Sequence, residues 1–194
     1  MDKISYSLGL SMGYSLLQSG VKDIDIQSLS SGIDDILNGR KPQVSHEEAQ
    51  KLLDAFFKEQ EQKAANAQKA AGEKFLVENA KRPNVKTTAS GLQYEALEST
   101  LGQKPKSTDT VRVHYEGTLI DGTVFDSSYR RGEPISFALN QVIAGWTEGL
   151  QLMSVGSKYK LYIPYNLGYG SRGAGAQIPP YSALIFTVEL LGIE

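Results

Sequence analysis

Residues equipped for chemistry are few in this chain. Cysteine is absent and only two histidines occur, His46 and His114. Disulfide frameworks, thiol nucleophiles and zinc sites of the Cys or Cys/His kind are therefore excluded or nearly so. His114 lies in Val111-Arg-Val-His-Tyr-Glu-Gly117, where strand alternation sets it with Arg112 and Glu116, opposite Val111, Val113 and Tyr115. With no second histidine near it, it reads as a solvent-facing residue, not a base or a ligand. Asp121 and Asp126 could pair for acid/base work, but Asp121-Gly122 is a compact hairpin signal, which accounts for Asp121. Only Asp126 survives as a candidate. Gly168-Tyr-Gly-Ser-Arg-Gly173 spells the G-x-G-x-x-G of dinucleotide sites, yet the following Ala-Gly-Ala-Gln-Ile-Pro-Pro cannot open the helix such a site needs. What remains is a series of rings set among apolar runs between Val111 and Phe186. By themselves they suit a hydrophobic core.

The elements that must position these rings change character near Pro83. Before it the apolar period is helical and strand formers are scarce; after it short β-patterned runs alternate with glycine-containing turns. Alternation places Ile135, Phe137 and Leu139 on one face, as it does Tyr159, Leu161 and Ile163, and Leu184, Phe186, Val188 and Leu190. A short helix fits residues 142–153, with Asn140 as a cap and Val142, Trp146 and Leu150 at helical spacing, so that Trp146 points from helix to sheet. Several strands with one helix predict an α+β domain, a bent antiparallel sheet wrapped around that helix.

Ahead of it, Ile4, Leu8 and Met12 share a helical stripe that ends at Gly20. A second helix fits Ile26–Leu37, with Asp25 as N-cap and Gly39 beyond its end. Ser45-His-Glu-Glu48 has capping-box spacing and starts a third helix over about residues 47–81, ~50 Å long at ~1.5 Å per residue. Its middle, residues 58–74, is charged and rich in Gln and Ala, the pattern of a solvent-bridging rod. Gly72 weakens it slightly, by about 1 kcal/mol relative to Ala. The expected domains are a helical dimerisation module over 1–44, a linking helix over 45–83 and a domain over 84–194. The N-terminal helices are too few to build a core alone. A homodimer through them is the preferred solution and a monomeric cap folded on the C-terminal domain the alternative. Gly9 and Gly13 would permit close helix approach.

In order and spacing, several motifs resemble the FKBP-type peptidyl-prolyl cis-trans isomerases over residues 84–194. They are Val111 to Gly117, Asp121-Gly-Thr-Val-Phe-Asp126, Ile135-Ser-Phe137, Val142-Ile-Ala-Gly-Trp146, Leu167-Gly-Tyr-Gly170, Ile178-Pro-Pro180 and Ala183 to Leu191. The whole chain resembles the two-domain bacterial subtype of the macrophage infectivity potentiator kind. The resemblance implies that Tyr115, Phe125, Asp126, Tyr169 and Phe186 are catalytic. It also implies that Arg131, Phe137, Val142, Ile143, Trp146 and Ile178 bind substrate. Trp146 would be the floor, Tyr115, Phe125 and Phe186 the walls, the Ile143 N–H and Tyr169 hydroxyl the carbonyl donors, and Asp126 a polar pole beside Arg131. Ala174 and Gln177 stand where better-known relatives carry bulkier rim residues, which bears on macrolide ligands of the rapamycin type.

Such a site needs no metal and no cofactor, and its partners would be proline-containing peptides and folding proteins. The alternative is a chaperone, or a silent binding module for proline-containing clients. A net charge of -2 leaves no basic stripe for nucleic acid. No long apolar run suggests a membrane partner, and the expected location is cytoplasmic.

Overall fold

The computed structural model describes residues 1–194, which divide into two compact units, Met1–Gln62 and Lys63–Glu194. The first unit is helical. Helix α1 (Lys3–Gln18) starts on Asp2, whose Oδ2 accepts the Ser5 N–H at 2.7 Å, and Gly20 follows its end at φ 79°. Helix α2 (Ile26–Leu37) starts on Asp25, which accepts the Ser28 N–H at 2.6 Å. Helix α3 (His46–Asn79) begins in this unit, with Ser45 Oγ accepting the Glu48 N–H at 3.2 Å. The helices bury little: Ile4, Leu8, Leu17, Ile36, Leu37, Leu52 and Leu53 are all exposed. Gly9 and Gly13 have open space where a Cβ would be.

The second unit opens with the remainder of α3 and continues into a seven-stranded antiparallel sheet. Its strands are β1 (Lys86–Thr87), β2 (Gln93–Glu98), β3 (Thr110–Leu119), β4 (Val124–Ser127), β5 (Ile135–Ala138), β6 (Lys158–Ile163) and β7 (Leu184–Ile193). The order is β1-β2-β6-β7-β3-β4, with β5 also paired to β3. Helix α4 (Ser128–Arg131) follows β4 directly, and helix α5 (Ala144–Leu152) crosses the inner face. This is the α+β architecture the sequence predicts. Alternation holds along the central strands: Val111, Val113, Tyr115 and Leu119 of β3 are buried, as are Leu184, Phe186, Val188 and Leu190 of β7.

Helix α5 lies unusually close to β6. A Cβ on Gly145 would stand 2.5 Å from Ile163 Cγ2, and one on Gly149 would stand 2.7 Å from Leu161 Cδ1. The glycines, one turn apart, let the helix backbone sink onto the strand and bury Trp146 and Leu150 beside them.

Two expectations are corrected. Helix α5 begins at Ala144, two residues later than expected, with Ile143 at its N-cap and no side-chain cap bond. Asn140 instead lies in a 3-10 turn, Leu139–Gln141, and Val142 is extended. That extended step leaves Val142 and Ile143 off the helix and turned to the pocket described below.

The second correction concerns α3. Its end packs at Phe75, as a rod with packed ends requires, but the expected rod over residues 58–74 is not bare: Gln68 and Gly72 within it pack on the same sheet unit, in line with Phe75 and Asn79. Gly72 and Asn79 are buried, and Phe75 meets the ring of Tyr162 at 6.1 Å. Asn79 Nδ2 donates to Gln93 Oε1 at 2.8 Å, and Gln93 Nε2 donates to the Leu76 carbonyl at 2.8 Å. Arg82 donates to Tyr162 Oη at 2.7 Å and to Glu95 at 2.6 Å. The expected division after residue 83 thus falls beyond a helix end already built into the sheet unit.

A fragment of residues 84–194 loses Phe75, Asn79 and Arg82 and exposes Gln93, Glu95 and Tyr162. Burial of one large side chain and several hydrogen bonds makes residues 63–194 more stable than 84–194 by roughly 3 kcal/mol or more. Urea denaturation of the two fragments measures the difference.

Candidate active site

A cavity of about 530 Å³ opens on the inner face of the sheet, at the N-terminal end of α5. Trp146 is its floor, 4 % exposed, and three rings meet the indole edge to face. Tyr115 from β3 lies at 5.0 Å and 89°, Phe186 from β7 at 5.2 Å and 83°, and Phe137 from β5 at 5.4 Å and 85°. T-shaped pairs of this kind each contribute about 0.5–1.5 kcal/mol beyond area burial and fix the ring angles. The indole Nε1 is buried without a hydrogen-bond partner in the protein, which costs about 1–3 kcal/mol.

Phe125 from β4 extends the wall, with its ring 5.4 Å from Phe186 at 81°. Both stand beside Gly117, the β3 residue paired with Asp126 on one side and Phe186 on the other. A Cβ there would be 2.6 Å from Phe125 and 2.7 Å from Phe186, so the wall closes only over glycine.

One side of the pocket is polar. Asp126 Oδ2 accepts a hydrogen bond from the Tyr115 hydroxyl, Asp126 Oδ1 pairs with Arg131, and Arg131 Nη2 donates to the Tyr115 oxygen at 3.0 Å. Burial, with the Asp126 hydrogen bond added to it, pushes Tyr115 up to about 12, so it stays a neutral donor. For Asp126, burial opposes the charge, but the Tyr115 hydroxyl and Arg131 outweigh it and hold the carboxyl below its ordinary value. The triangle is a fixed dipole at the rim of an apolar cleft.

Two of the lining residues carry unpaired donors. The Ile143 N–H at the start of α5 makes no hydrogen bond within the protein, and the Tyr169 hydroxyl likewise has no partner. Burial and then the Asp126 charge raise Tyr169, which therefore stays protonated. The outer rim is the loop after Gly170, closed by a bridge between Ala174 and Ile178 with N···O distances of 2.8 and 3.1 Å. Gly173 is obligatory there: φ is 66°, and a Cβ would lie 2.1 Å from the Ile178 oxygen.

Ten of the eleven expected site residues line this one cavity: Tyr115, Phe125, Asp126, Phe137, Val142, Ile143, Trp146, Tyr169, Ile178 and Phe186. Arg131 stands behind them on Asp126. Ala174 and Gln177 line the rim, and so does Gln141, which nothing in its own sequence context marks. His114 lies on the other face of β3. It is half-buried, not free in solvent: its ring stacks on Tyr129 at 4.7 Å, and its Nδ1 is 2.9 Å from Ser128 Oγ. The Asp121 carboxylate accepts the Thr123 N–H at 2.9 Å within the hairpin turn, as its position suggests. Residues 168–173 open no helix.

A ring-walled cleft under the sheet, with unpaired donors and no nucleophile at its floor, suits a compact apolar group flanked by hydrogen-bond acceptors. Family comparison makes the class specific. Residues 102–191 match the model of the FKBP-type peptidyl-prolyl cis-trans isomerases, and residues 1–96 match the domain amino terminal to such isomerases. The chain is 48 % identical over 97 % of its length, and 93 % of the relative's, to the FKBP-type 22 kDa peptidyl-prolyl cis-trans isomerase of Escherichia coli. It is 47 % identical to FkpA of Aeromonas hydrophila, over all of this chain and 76 % of that one. The crystal structure of FkpA from Escherichia coli superposes with a TM-score of 0.82 at 41 % identity, covering 98 % of this chain and 93 % of that one. The chain belongs to the FKBP-type peptidyl-prolyl cis-trans isomerase family, and its activity is isomerisation of X-Pro bonds.

The directions of the two shifts set the pH behaviour. Asp126, lowered, adds stability that is present above the unfolded carboxyl value of ~3.9 and lost as pH falls through its folded value. Tyr115, raised, changes state only near its folded value. The contribution of this pair to peptide isomerisation is therefore level from about pH 5 to 9, and the Asp126 part of stability begins to fall below about pH 4 and is gone once pH lies below its folded value. Rates and urea midpoints across that range, with Asp126→Asn as the reference, measure both.

Proposed function

We propose that the pocket accelerates X-Pro rotation by drying and holding the bond, with no covalent step. Edge-to-face packing of three rings on Trp146, beside two unpaired donors, is the observation that carries this reading. The prolyl ring sits over Trp146, flanked by Tyr115, Phe125 and Phe186, with Phe137, Val142 and Ile178 closing the cleft. The Ile143 N–H and Tyr169 hydroxyl hold carbonyls of the flanking chain while the bond turns.

Resonance gives the planar amide its charge separation and a rotation barrier of ~18–20 kcal/mol. Taken from water into an apolar cleft, the planar form loses more solvation than the twisted, less polar transition state does, so the barrier falls. The Asp126–Tyr115–Arg131 dipole is already oriented and needs no rearrangement as charge shifts. An acceleration of about 10⁵ requires about 7 kcal/mol of such differential stabilisation.

The N-terminal unit is proposed to form a homodimer. Ile4 is 74 % and Leu37 79 % exposed, and a unit of this size with so little of its apolar surface buried needs a partner. A second copy supplies the same stripes by symmetry. Two pockets on one dimer would raise effective concentration for large folding clients through bivalency. Those same exposed side chains support the chaperone reading as a second activity. Macrolides of the rapamycin type are proposed to compete in the same cleft, more weakly for want of bulk at Ala174 and Gln177. The proposed compartment is the cytoplasm, with which the lack of cysteine is merely compatible, and fractionation tests it.

Phe125→Ala and Asp126→Val should each lower kcat/KM on a Leu-Pro peptide by about tenfold or more, the loss expected for about 1.4 kcal/mol of transition-state binding. Exchange NMR reads this, and a wild-type rate no faster than buffer refutes the mechanism. Retained suppression of aggregation by these variants assigns chaperoning to the helices. Light scattering should give twice the 21.2 kDa chain mass, and the chain mass for a variant with Ile4 and Leu8 changed to Asp.

A further inference from the structure

Gln68 of α3 reaches a turn that the pocket chemistry does not explain. Residues Pro179 to Ser182 connect the rim loop, which carries Ile178 into the cavity, to β7, which carries Phe186. Pro180 occupies the second position of this turn. Tyr181, at the third, has φ 59°, the only non-glycine residue in the chain with positive φ. Positive φ at that position after proline is the demand of a type II turn, normally met by glycine. Here the first carbonyl, Pro179 O, is held not by the Ser182 backbone but by the Ser182 hydroxyl, at 2.7 Å.

That hydroxyl has one proton to give. Gln68 Nε2 donates to Ser182 Oγ at 3.1 Å, so the oxygen accepts on the helix side and its proton turns to Pro179. One turn on, α3 presents Gly72, where a Cβ would stand 3.1 Å from the Ala183 side chain, so the helix backbone lies directly on the start of β7. Lys69 Nζ sits 5.5 Å over the ring of Tyr165, whose face meets Tyr181 at 5.2 Å. Gln68 and Gly72 therefore hold the C-terminal side of a strained turn while Lys69 reaches it only through Tyr165, and all three belong to the same compact unit as the pocket.

We propose that Gln68, with Gly72 beneath it, is a positioning residue for the isomerase site: it directs the Ser182 hydroxyl onto Pro179 and so fixes the rim segment of Ala174 and Ile178. This rests on reading the ring-walled cavity as the substrate cleft. The rim touches substrate without taking part in bond rotation, so its loosening weakens binding and spares turnover.

The test uses the full-length chain. Ser182→Ala removes the bond to Pro179 and should raise KM for a Leu-Pro peptide about fivefold, the size expected for one hydrogen bond, with kcat within about twofold. Ser182→Thr keeps the hydroxyl and should restore KM. Gln68→Ala removes the donor that directs the Ser182 hydroxyl, freeing it to turn from Pro179, and should raise KM part of the way, whereas Gln68→Glu competes for that proton and should raise it further. Amide exchange at residues 174–178 should quicken in the same order while β3 stays protected. An unchanged KM in Ser182→Ala with only a lower unfolding temperature overturns the proposal, as does Gln68→Glu behaving like Gln68→Ala. If the wild-type chain fails to isomerise the peptide, the cleft reading falls separately, and exchange at 174–178 still decides the role of Gln68.

Discussion

Close seating of α5 on β6 is the contact on which the pocket depends. Gly145 and Gly149 remove the side chains that would otherwise hold the helix off Ile163 and Leu161. Only at that separation can Trp146 lie low enough for rings from β3, β5 and β7 to meet it edge-on. Each ring pair is worth little alone, but three on one indole set its plane from three directions. The floor is rigid because protein interiors do not deform by small steps.

Apolar walls leave the polar side of the pocket to its solvent-facing rim. Asp126 stands there with its side chain about 41 % exposed, its charge met by Arg131 on one oxygen and Tyr115 on the other. Those two partners fix where the carboxylate points, and the hydrogen bonds favour its charged form. Position follows from local structure: Asp126 is the last residue but one of β4, and Arg131 ends the one-turn helix α4 that follows at once. Gly132, at φ 80°, closes that helix immediately behind Arg131.

The sheet was legible in sequence wherever burial is one-sided. On β3 and β7 the period of two separates fully buried residues from half-buried ones almost without exception, and the caps Asp25 and Ser45 act where their spacing places them. The ring set was legible as a pocket only through family resemblance, because a ring in a core and a ring in a cleft carry the same local signature. The start of α5 was missed since Val142 and Ile143 continue the apolar period while the backbone there is extended. Gln93 and Glu95 were illegible for a different reason. Alternation assigns polar strand positions to solvent, but here they are buried under α3, and their partners, Asn79 and Arg82, are contributed by another element.

That same matching explains why α3 is polar where it is also packed. A helix whose packed face holds one large apolar side chain, Phe75, ordinarily has little to bury. Along this one, Gln68 meets Ser182, Asn79 meets Gln93, and glycine replaces bulk where Ala183 comes closest. Hydrogen bonds have direction and apolar contacts do not, so an interface of this kind specifies register more sharply than its modest area would. A slip of one residue would lose each of these bonds together and press a side chain of α3 onto Ala183. Helical position and rim geometry are thereby set by one list of contacts, which is how a stretch that reads as a solvent rod comes to bear on the mouth of the pocket.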